Sequence, residues 1–370
     1  MAISLHTKLC DMLGIEYPVI AFSHCRDVVA AVCNAGGSGV LGALALPPEE
    51  LTVAANWIKA HTDKSFGIDL VFPRANPEVA TRDQLLSQIP KEYKDFVDRI
   101  KKEIGLPAET SSTGVGMALG IGGTHESQRK QLDAAIKAKP AFFAAGLGIN
   151  REVVDECHAA GIKVIHLVGN VKNALRSAAF GVDIIVAQGT EAGGHTGRIG
   201  TMALVPQVVD AVSPIPVLAA GGIGDGRGLA AALALGAVGI WTGTIWLTAH
   251  EDPLADWLKD RMLEATDEDA VITKAYTGKT ARFLNNKYIE IWKQPDAPQT
   301  LPMPLQNLYS PMPMSASNQD PNSLFDRLPH LRDWTSTPAG NVMGLIKQRK
   351  SARQILYDMV SQAIDILGTE

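Results

Sequence analysis

The 370-residue sequence contains few cysteines, and their spacing disfavours two ways of stabilising a fold. Cys10, Cys25, Cys33 and Cys157 form no CxxC pair, so neither a disulfide framework nor a structural zinc site is expected. No His, Asp and Glu residues cluster with the spacing of metal ligands. We therefore expect no metal, and the isolated cysteines favour a reducing cytoplasm.

The sequence also lacks an excess of positive charge. Its 34 Lys and Arg residues face 39 Asp and Glu residues, giving a formal charge of −5. Surfaces that bind nucleic acid are basic, so we expect no nucleic-acid partner. The N-terminus has no apolar signal-peptide core and no Arg-rich amphipathic pattern, which again indicates the cytoplasm.

One uncharged stretch, residues 229–249, is long enough to cross a bilayer. Gly236 and Gly239 divide it into an Ala/Leu-rich helical part and a short β-like part. A buried helix followed by a buried strand explains this pattern better than a membrane span, so we expect no membrane partner.

Short apolar segments alternate with helical patterns along the chain. Crossovers of this length predict parallel strands, and apolar runs without alternation predict strands covered on both faces. Eight such units predict an α/β fold, the (β/α)8 TIM barrel. The predicted strands are residues 17–22, 38–45, 66–72, 141–148, 163–169, 183–189, 216–222 and 239–244.

Two segments interrupt this alternation. An insertion at about residues 73–124, after the third strand, contains a charged helix and a Gly-rich piece. A Pro-, Ser- and Asn-rich arm at residues 294–338 precedes a final amphipathic helix. We predict a barrel domain over 1–250 and a helical and irregular extension over 251–370 that packs over the barrel mouth.

Glycines recur where the predicted strands end, as at Gly169, Gly189, Gly221 and Gly243. The carboxyl ends of barrel strands carry the chemistry, and phosphate often binds after strands seven and eight. A backbone without Cβ atoms lets amide groups reach an anion directly. Any one of these glycines could form a turn, but their recurrence predicts a ligand site. The "GIGDGRG" stretch lacks GxGxxG spacing, so the phosphate belongs to FMN or to a phosphorylated substrate.

Several stretches together resemble the nitronate monooxygenase (2-nitropropane dioxygenase) family of FMN-dependent barrel enzymes. The resemblance covers about two thirds of the chain, and its EAGGH element is shared with the related flavin-dependent enoyl-acyl-carrier-protein reductases. The stretches are "NAGGSGVLGAL", "AQGTEAGGHTG", "PVLAAGGIGDGRGLAAALALGA", "GTIWLTAHE", "TGKTARFLNNKYIEIW" and "PAGNVMGLIKQRKSARQIL".

The resemblance implies that His195 is the catalytic residue. Asp69 stands where the family usually has an Asn that hydrogen-bonds the flavin, and an acid there would make the local potential more negative. His166, near a strand's carboxyl end, is expected to face the barrel mouth, and His24 is expected in the substrate pocket. The predicted FMN-binding residues are Ala21, Phe22, Ser23, Asp69, His166, Gln188, Gly189, Gly193, Gly194, Ala220, Gly221, Gly222, Gly243 and Thr244.

An imidazole can take a proton from the carbon beside a nitro group or orient a nitronate anion. The resemblance thus implies oxidative denitrification of an alkyl nitronate with dioxygen. The alternative is an NAD(P)H-dependent FMN reductase that acts on a quinone or on an enoyl or CoA thioester. A non-redox isomerase or aldolase would need a Schiff-base Lys or paired carboxylates at strand ends, and we find neither.

Three other polar residues near these motifs are expected to be structural. Glu191 should bond loop amides, and Lys279 and Arg282 should brace a loop rather than bind a substrate anion. Barrels with exposed outer helices often dimerise, so a homodimer is also expected.

Overall fold

A computed structural model describes residues 4–71, 82–106, 125–309, 316–320 and 323–368. Eight parallel strands form a closed barrel, in which each strand pairs with the next along the chain and the last pairs with the first. This confirms the predicted (β/α)8 fold. The barrel strands are β1 (Val19–Ser23), β2 (Ser38–Gly42), β3 (Phe66–Val71), β4 (Phe142–Gly146), β5 (Lys163–Val168), β6 (Ile184–Gln188), β8 (Val217–Ala220) and β9 (Gly239–Thr242).

A second, antiparallel sheet lies outside the barrel in the order β10–β11–β7. Its strands are β7 (Gly194–His195), β10 (Ala270–Thr273) and β11 (Ala281–Leu284). The sequence patterns did not predict this sheet. It joins the loop after β6 to a segment far along the chain.

The helices alternate with the strands as the apolar periodicity predicted. They are α1 (Lys8–Leu13), α2 (Arg26–Asn34), α3 (Pro48–His61), α4 (Arg82–Ser87), α5 (Lys91–Glu103), α6 (His125–Lys137), α7 (Arg151–Ala159), α8 (Val171–Phe180), α9 (Thr201–Val212), α10 (Gly226–Ala234), α11 (Asp256–Glu264), α12 (Lys287–Ile291), α13 (Leu305–Tyr309), α14 (Leu324–Arg327) and α15 (Ala352–Leu367). Short 3-10 helices occupy Thr244–Trp246, Pro329–Trp334 and Asn341–Leu345.

The barrel interior is filled by large side chains that face small ones. Phe142 is fully buried there, and a Cβ on Gly67 of the neighbouring β3 would lie only 2.2 Å from its ring. Leu9 and Leu13 of α1 belong to the same interior cluster as Phe142. The barrel is therefore a packed core rather than a pore.

The final helix, α15, packs on the side of the barrel. Leu356 and Ala363 are fully buried in the core that the outer barrel helices share, and Gln362 accepts a hydrogen bond from the amide of Gly226, at the start of α10. The helix thus adds to the helical layer around the barrel instead of covering its mouth. A domain boundary at residue 250 stays a proposal.

The inserted helix α5 and much of the chain after residue 253 share a second apolar core. Tyr93 and Phe96 of α5 pack with Trp292, at ring-centroid distances of 5.4 and 5.0 Å. The predicted Gly-rich piece of the insertion lies outside the described residues. The uncharged stretch at 229–249 forms α10 and β9, and none of the described helices is long and apolar enough to cross a membrane.

Candidate active site

His195 lies on the loop after β6, where contacts with β6 and with β11 hold its backbone. The side-chain amide of Gln188, at the end of β6, donates a 2.8 Å hydrogen bond from Nε2 to the carbonyl oxygen of His195. On its other side His195 pairs with Ala281 of β11. The histidine backbone is therefore fixed between the barrel and the second sheet.

Glu191 and Arg282 hold this loop in shape. The Glu191 carboxylate accepts a 3.1 Å hydrogen bond from the amide of Thr201, which begins α9. The Arg282 guanidinium donates to the carbonyl oxygens of Thr190 at 3.0 Å and Ala270 at 2.6 Å. Both contacts confirm the structural roles predicted for these two side chains.

The strand ends beside this loop present bare backbone. Gly221 and Gly222 have φ values of +89° and +72°, a left-handed conformation that favours glycine. The amides of Gly222 and Gly243 donate no hydrogen bond within the described part of the chain. These two turns, after β8 and β9, leave donors that can bind an anion.

The ring of His195 is held by a threonine from the second sheet's connecting loop. Its Nε2 atom lies 3.0 Å from the hydroxyl oxygen of Thr277. Burial, and the nearby ammonium group of Lys279, lower the pKa of His195 to about 4. At neutral pH the imidazole is therefore uncharged.

Asp69 lies inside the barrel near the mouth. It alternates along β3 with Ile68 and Leu70, which pack in the outer core, and its register partners are Gly42 and Ala144. Its side chain is 7% exposed, and Oδ1 has no hydrogen-bond partner. Burial raises the pKa of Asp69 well above its usual 3.8, which favours the uncharged acid. The added negative potential expected from sequence is thereby reduced.

His166 corrects a prediction. We expected it to face the barrel mouth, but Nδ1 lies 2.6 Å from the hydroxyl of Ser177 on the outer helix α8. Its neighbour Leu167 packs with the interior cluster instead. Burial lowers the pKa of His166 to about 4, so it is a neutral histidine between strand and helix, with its side chain outside the mouth.

The end of β1 supplies an aromatic wall. Phe22 packs with the interior cluster and stacks on Trp241 of β9 at a ring-centroid distance of 6.0 Å, whereas Ala21 packs in the outer core. His24 follows, with Nδ1 2.7 Å from the carbonyl oxygen of Gly42. The residue is exposed, yet desolvation by the surrounding atoms lowers its pKa.

Three more of the predicted residues, Ser23, Thr244 and Gly193, make contacts within the protein. Ser23 is buried, and its hydroxyl accepts a hydrogen bond from the amide of Cys25 at 3.0 Å. The Thr244 hydroxyl accepts one from the amide of Gly340 at 2.9 Å, and a Cβ on Gly193 would lie 2.8 Å from Ala339. The segment around residue 340 therefore packs directly against this face, a contact that the sequence patterns did not predict.

These features define a (β/α)8-barrel enzyme with a half-buried, neutral histidine on the loop after β6 and free backbone amides at the ends of β8 and β9. Among the described residues, no group of three or more His, Cys, Asp or Glu side chains could hold a metal ion. The family model for nitronate monooxygenase matches residues 6–362. The chain belongs to the nitronate monooxygenase family and is an oxidoreductase of that type.

Two relatives from bacteria share most of their length with this chain. A Mycobacterium tuberculosis protein, Rv1533, whose name assigns it provisionally to the monooxygenases, is 42% identical over 370 residues, covering 98% of each chain. A Staphylococcus aureus (strain Newman) protein named as a probable nitronate monooxygenase is 33% identical, covering 92% of this chain and 96% of its own.

Solved structures agree on the fold. Nitroalkane oxidase from Streptomyces ansochromogenes superposes with a TM-score of 0.75 at 23% identity, covering 96% of this chain and 98% of its own. FabK from Thermotoga maritima gives a TM-score of 0.71 at 24% identity, covering 99% and 98%. At these identities the likeness concerns the barrel architecture alone.

Proposed function

We propose that this protein is an FMN-dependent nitronate monooxygenase that converts two alkyl nitronates and one dioxygen to two carbonyl compounds and two nitrite ions. The family implies a flavin, and FMN is the form whose single phosphate suits the turns after β8 and β9. One feature carries the choice of substrate: the ammonium group of Lys279 lies close enough to His195 to lower its pKa. Such a site favours a substrate that carries or develops negative charge.

The residues present fit an FMN molecule. The free amides of Gly222 and Gly243 suit its phosphate. A buried Asp69 Oδ1 without a partner is costly unless a ligand supplies one, and a flavin ring in the mouth offers polar atoms. The loop carrying Gln188, Gly189 and Gly194 lies beside the same space. The side chain of His166 is left out of this proposal.

When bound, the flavin supplies the electron transfer between nitronate and dioxygen. The protein's own residues bind and orient. His195 presents a neutral imidazole that can donate a hydrogen bond to a nitronate oxygen or accept a proton from carbon. Lys279 was expected from the sequence to brace a loop, but its charge reaches His195 and would add attraction for the anion. The stacked rings of Phe22 and Trp241 form an apolar wall. His24, whose ring lies 5.1 Å from that of Phe22, is proposed to line the substrate pocket.

Anaerobic mixing of the yellow protein with a nitronate, and separately with NADH, tests this assignment. We expect the flavin absorbance to bleach with propyl-2-nitronate and to remain with NADH. Rapid bleaching with NADH and none with the nitronate would favour the NAD(P)H-dependent reductase of a quinone or thioester instead.

We further propose a cytoplasmic location, since all four cysteines are free and buried, and assembly as a homodimer.

A further inference from the structure

Thr277 is a polar side chain in the site that no sequence motif assigned a role. It is 2% exposed, so its hydroxyl group must find its partners within the protein. Three polar atoms surround the hydroxyl oxygen: Nε2 of His195 at 3.0 Å, the carbonyl oxygen of Lys279 at 3.2 Å and the amide nitrogen of Lys279 at 3.3 Å.

The hydrogen-bonding capacity of a hydroxyl limits how these contacts can be made. It has one proton to donate and two lone pairs that accept. The Lys279 carbonyl oxygen can only accept and the Lys279 amide can only donate. If the proton goes to that carbonyl, one lone pair takes the Lys279 amide and the other is left for His195. The imidazole nitrogen must then carry the donated proton.

The opposite ring nitrogen has a different environment. Nδ1 of His195 has no hydrogen-bond partner among the described residues, and it is not one of the enclosed polar atoms without a partner. It is therefore accessible. Because the pKa of His195 is lowered to about 4, the ring holds a single proton at neutral pH, and a proton on Nε2 leaves Nδ1 as the basic atom.

The loop that carries Thr277 is held in place by contacts with the Pro-rich arm. A Cβ on the next residue, Gly278, would lie 2.1 Å from the carbonyl oxygen of Leu301 in the Pro-rich arm. Gln306 of that arm donates a 2.5 Å hydrogen bond to the carbonyl oxygen of Ala275 and accepts one from the Leu301 amide at 2.9 Å. The arm therefore packs directly against the loop that carries Thr277.

We propose that Thr277 is a positioning residue that holds His195 in the Nε2–H tautomer, so that the unprotonated Nδ1 faces the substrate as a base that can accept the proton from the carbon beside a nitro group. This inference rests on the proposed function for its catalytic meaning, but the tautomer is a property of the protein alone. It also gives the Pro-rich arm a task, which is to hold the Thr277 loop in place.

Nitrogen NMR of the flavin-loaded protein labelled with ¹⁵N-histidine tests the proposal at neutral pH, with His195→Asn used to assign the His195 signals. We expect a protonated Nε2 and an unprotonated Nδ1. The variant Thr277→Val, close to isosteric but without a hydroxyl, should show mixed tautomers, and Thr277→Ser should restore the wild-type pattern. Turnover of 2-nitropropane, which must lose its carbon proton, should fall on the order of tenfold in kcat in Thr277→Val, with KM nearly unchanged.

A wild-type signal from protonated Nδ1 would overturn the proposal, as would an unchanged tautomer in a folded Thr277→Val protein. Thermal unfolding of both variants separates loss of the hydroxyl from loss of the fold. If the protein does not oxidise nitronates, the NMR result still decides the tautomer. Failure of the proposed function is thus distinguished from failure of this inference.

Discussion

Asp69 and His195 both carry less charge in the folded protein than these residue types carry in water. Burial is the main cause in each case: it raises the pKa of the carboxyl and lowers that of the imidazole. The site is thus set up with neutral hydrogen-bonding groups. Sequence could name both residues but could not give their charge states, because burial depends on the whole barrel.

Asp69 should make stability depend on pH. An acid whose pKa is raised by folding costs stability increasingly as the pH rises above 3.8, because only the unfolded chain ionises freely. The flavin-free Asp69→Asn variant should therefore gain in melting temperature over wild type between about pH 5 and about pH 8. If the melting temperatures of the two proteins changed with pH in the same way over this range, the result would contradict a buried, uncharged acid.

His195 should set the acidic limit of catalysis. We expect kcat/KM for a nitroalkane, which needs His195 as a base, to fall only near pH 4, where the imidazole becomes protonated, and not near the usual 6.5. Lys279→Gln removes the second cause of the shift, so its acidic limit should rise while staying below 6.5, since burial is the larger cause. A wild-type limit at the ordinary histidine value would show that the ring is not desolvated.

Among the elements, the sequence predicted the barrel strands and failed on the second sheet. Apolar runs bounded by glycine identify a buried strand by length and composition. A two-residue strand such as β7 has no periodicity, and its partner β11 lies far along the chain. The error at His166 has a related origin. A strand buried on both faces does not alternate, so its sequence does not say which residues face inward.

Two glycines, one after β6 and one after β9, should respond differently to a methyl group. A Cβ on Gly189 would lie 2.0 Å from the Thr201 hydroxyl and 2.5 Å from its backbone nitrogen, so Gly189→Ala should lower the melting temperature and distort the start of α9. At Gly243 the nearest atom is a Phe22 ring carbon at 3.9 Å. Gly243→Ala should fold normally and bind FMN more weakly, as the methyl enters the proposed phosphate site.

Calorimetric unfolding and FMN titration of both variants measure this difference. A Gly243→Ala protein with wild-type FMN affinity would remove the turn after β9 from the phosphate site. An unchanged melting temperature for Gly189→Ala would mean that Thr201 can move aside without cost.

Across the whole molecule, the chain's last helix is part of the barrel's outer layer. Amphipathicity predicted α15, but an apolar face does not reveal which surface covers it. Leu356 is fully buried, whereas Ile366 on the same helix is 51% exposed. Leu356→Ala should therefore cost about 2–5 kcal/mol of stability, and Ile366→Ala should change it by about 0.5 kcal/mol or less.

Urea unfolding of these two variants tests the placement of α15. Equal and small losses would mean that the helix is dispensable to the barrel. A large loss in Leu356→Ala alone would agree with the packing, and it would explain why the chain continues past the mouth and its Pro-rich arm to return to the side of the barrel.

The central claim is that a flavin at this mouth oxidises a nitronate that His195 forms by taking the carbon proton of a nitroalkane. Stopped-flow mixing of wild type and His195→Asn with 2-nitropropane without oxygen tests it most directly. We predict that both proteins are yellow and that flavin bleaching in the variant is slower by on the order of 10²–10⁴-fold. Bleaching of the variant at the wild-type rate, or a wild-type protein that binds no flavin, would contradict the account.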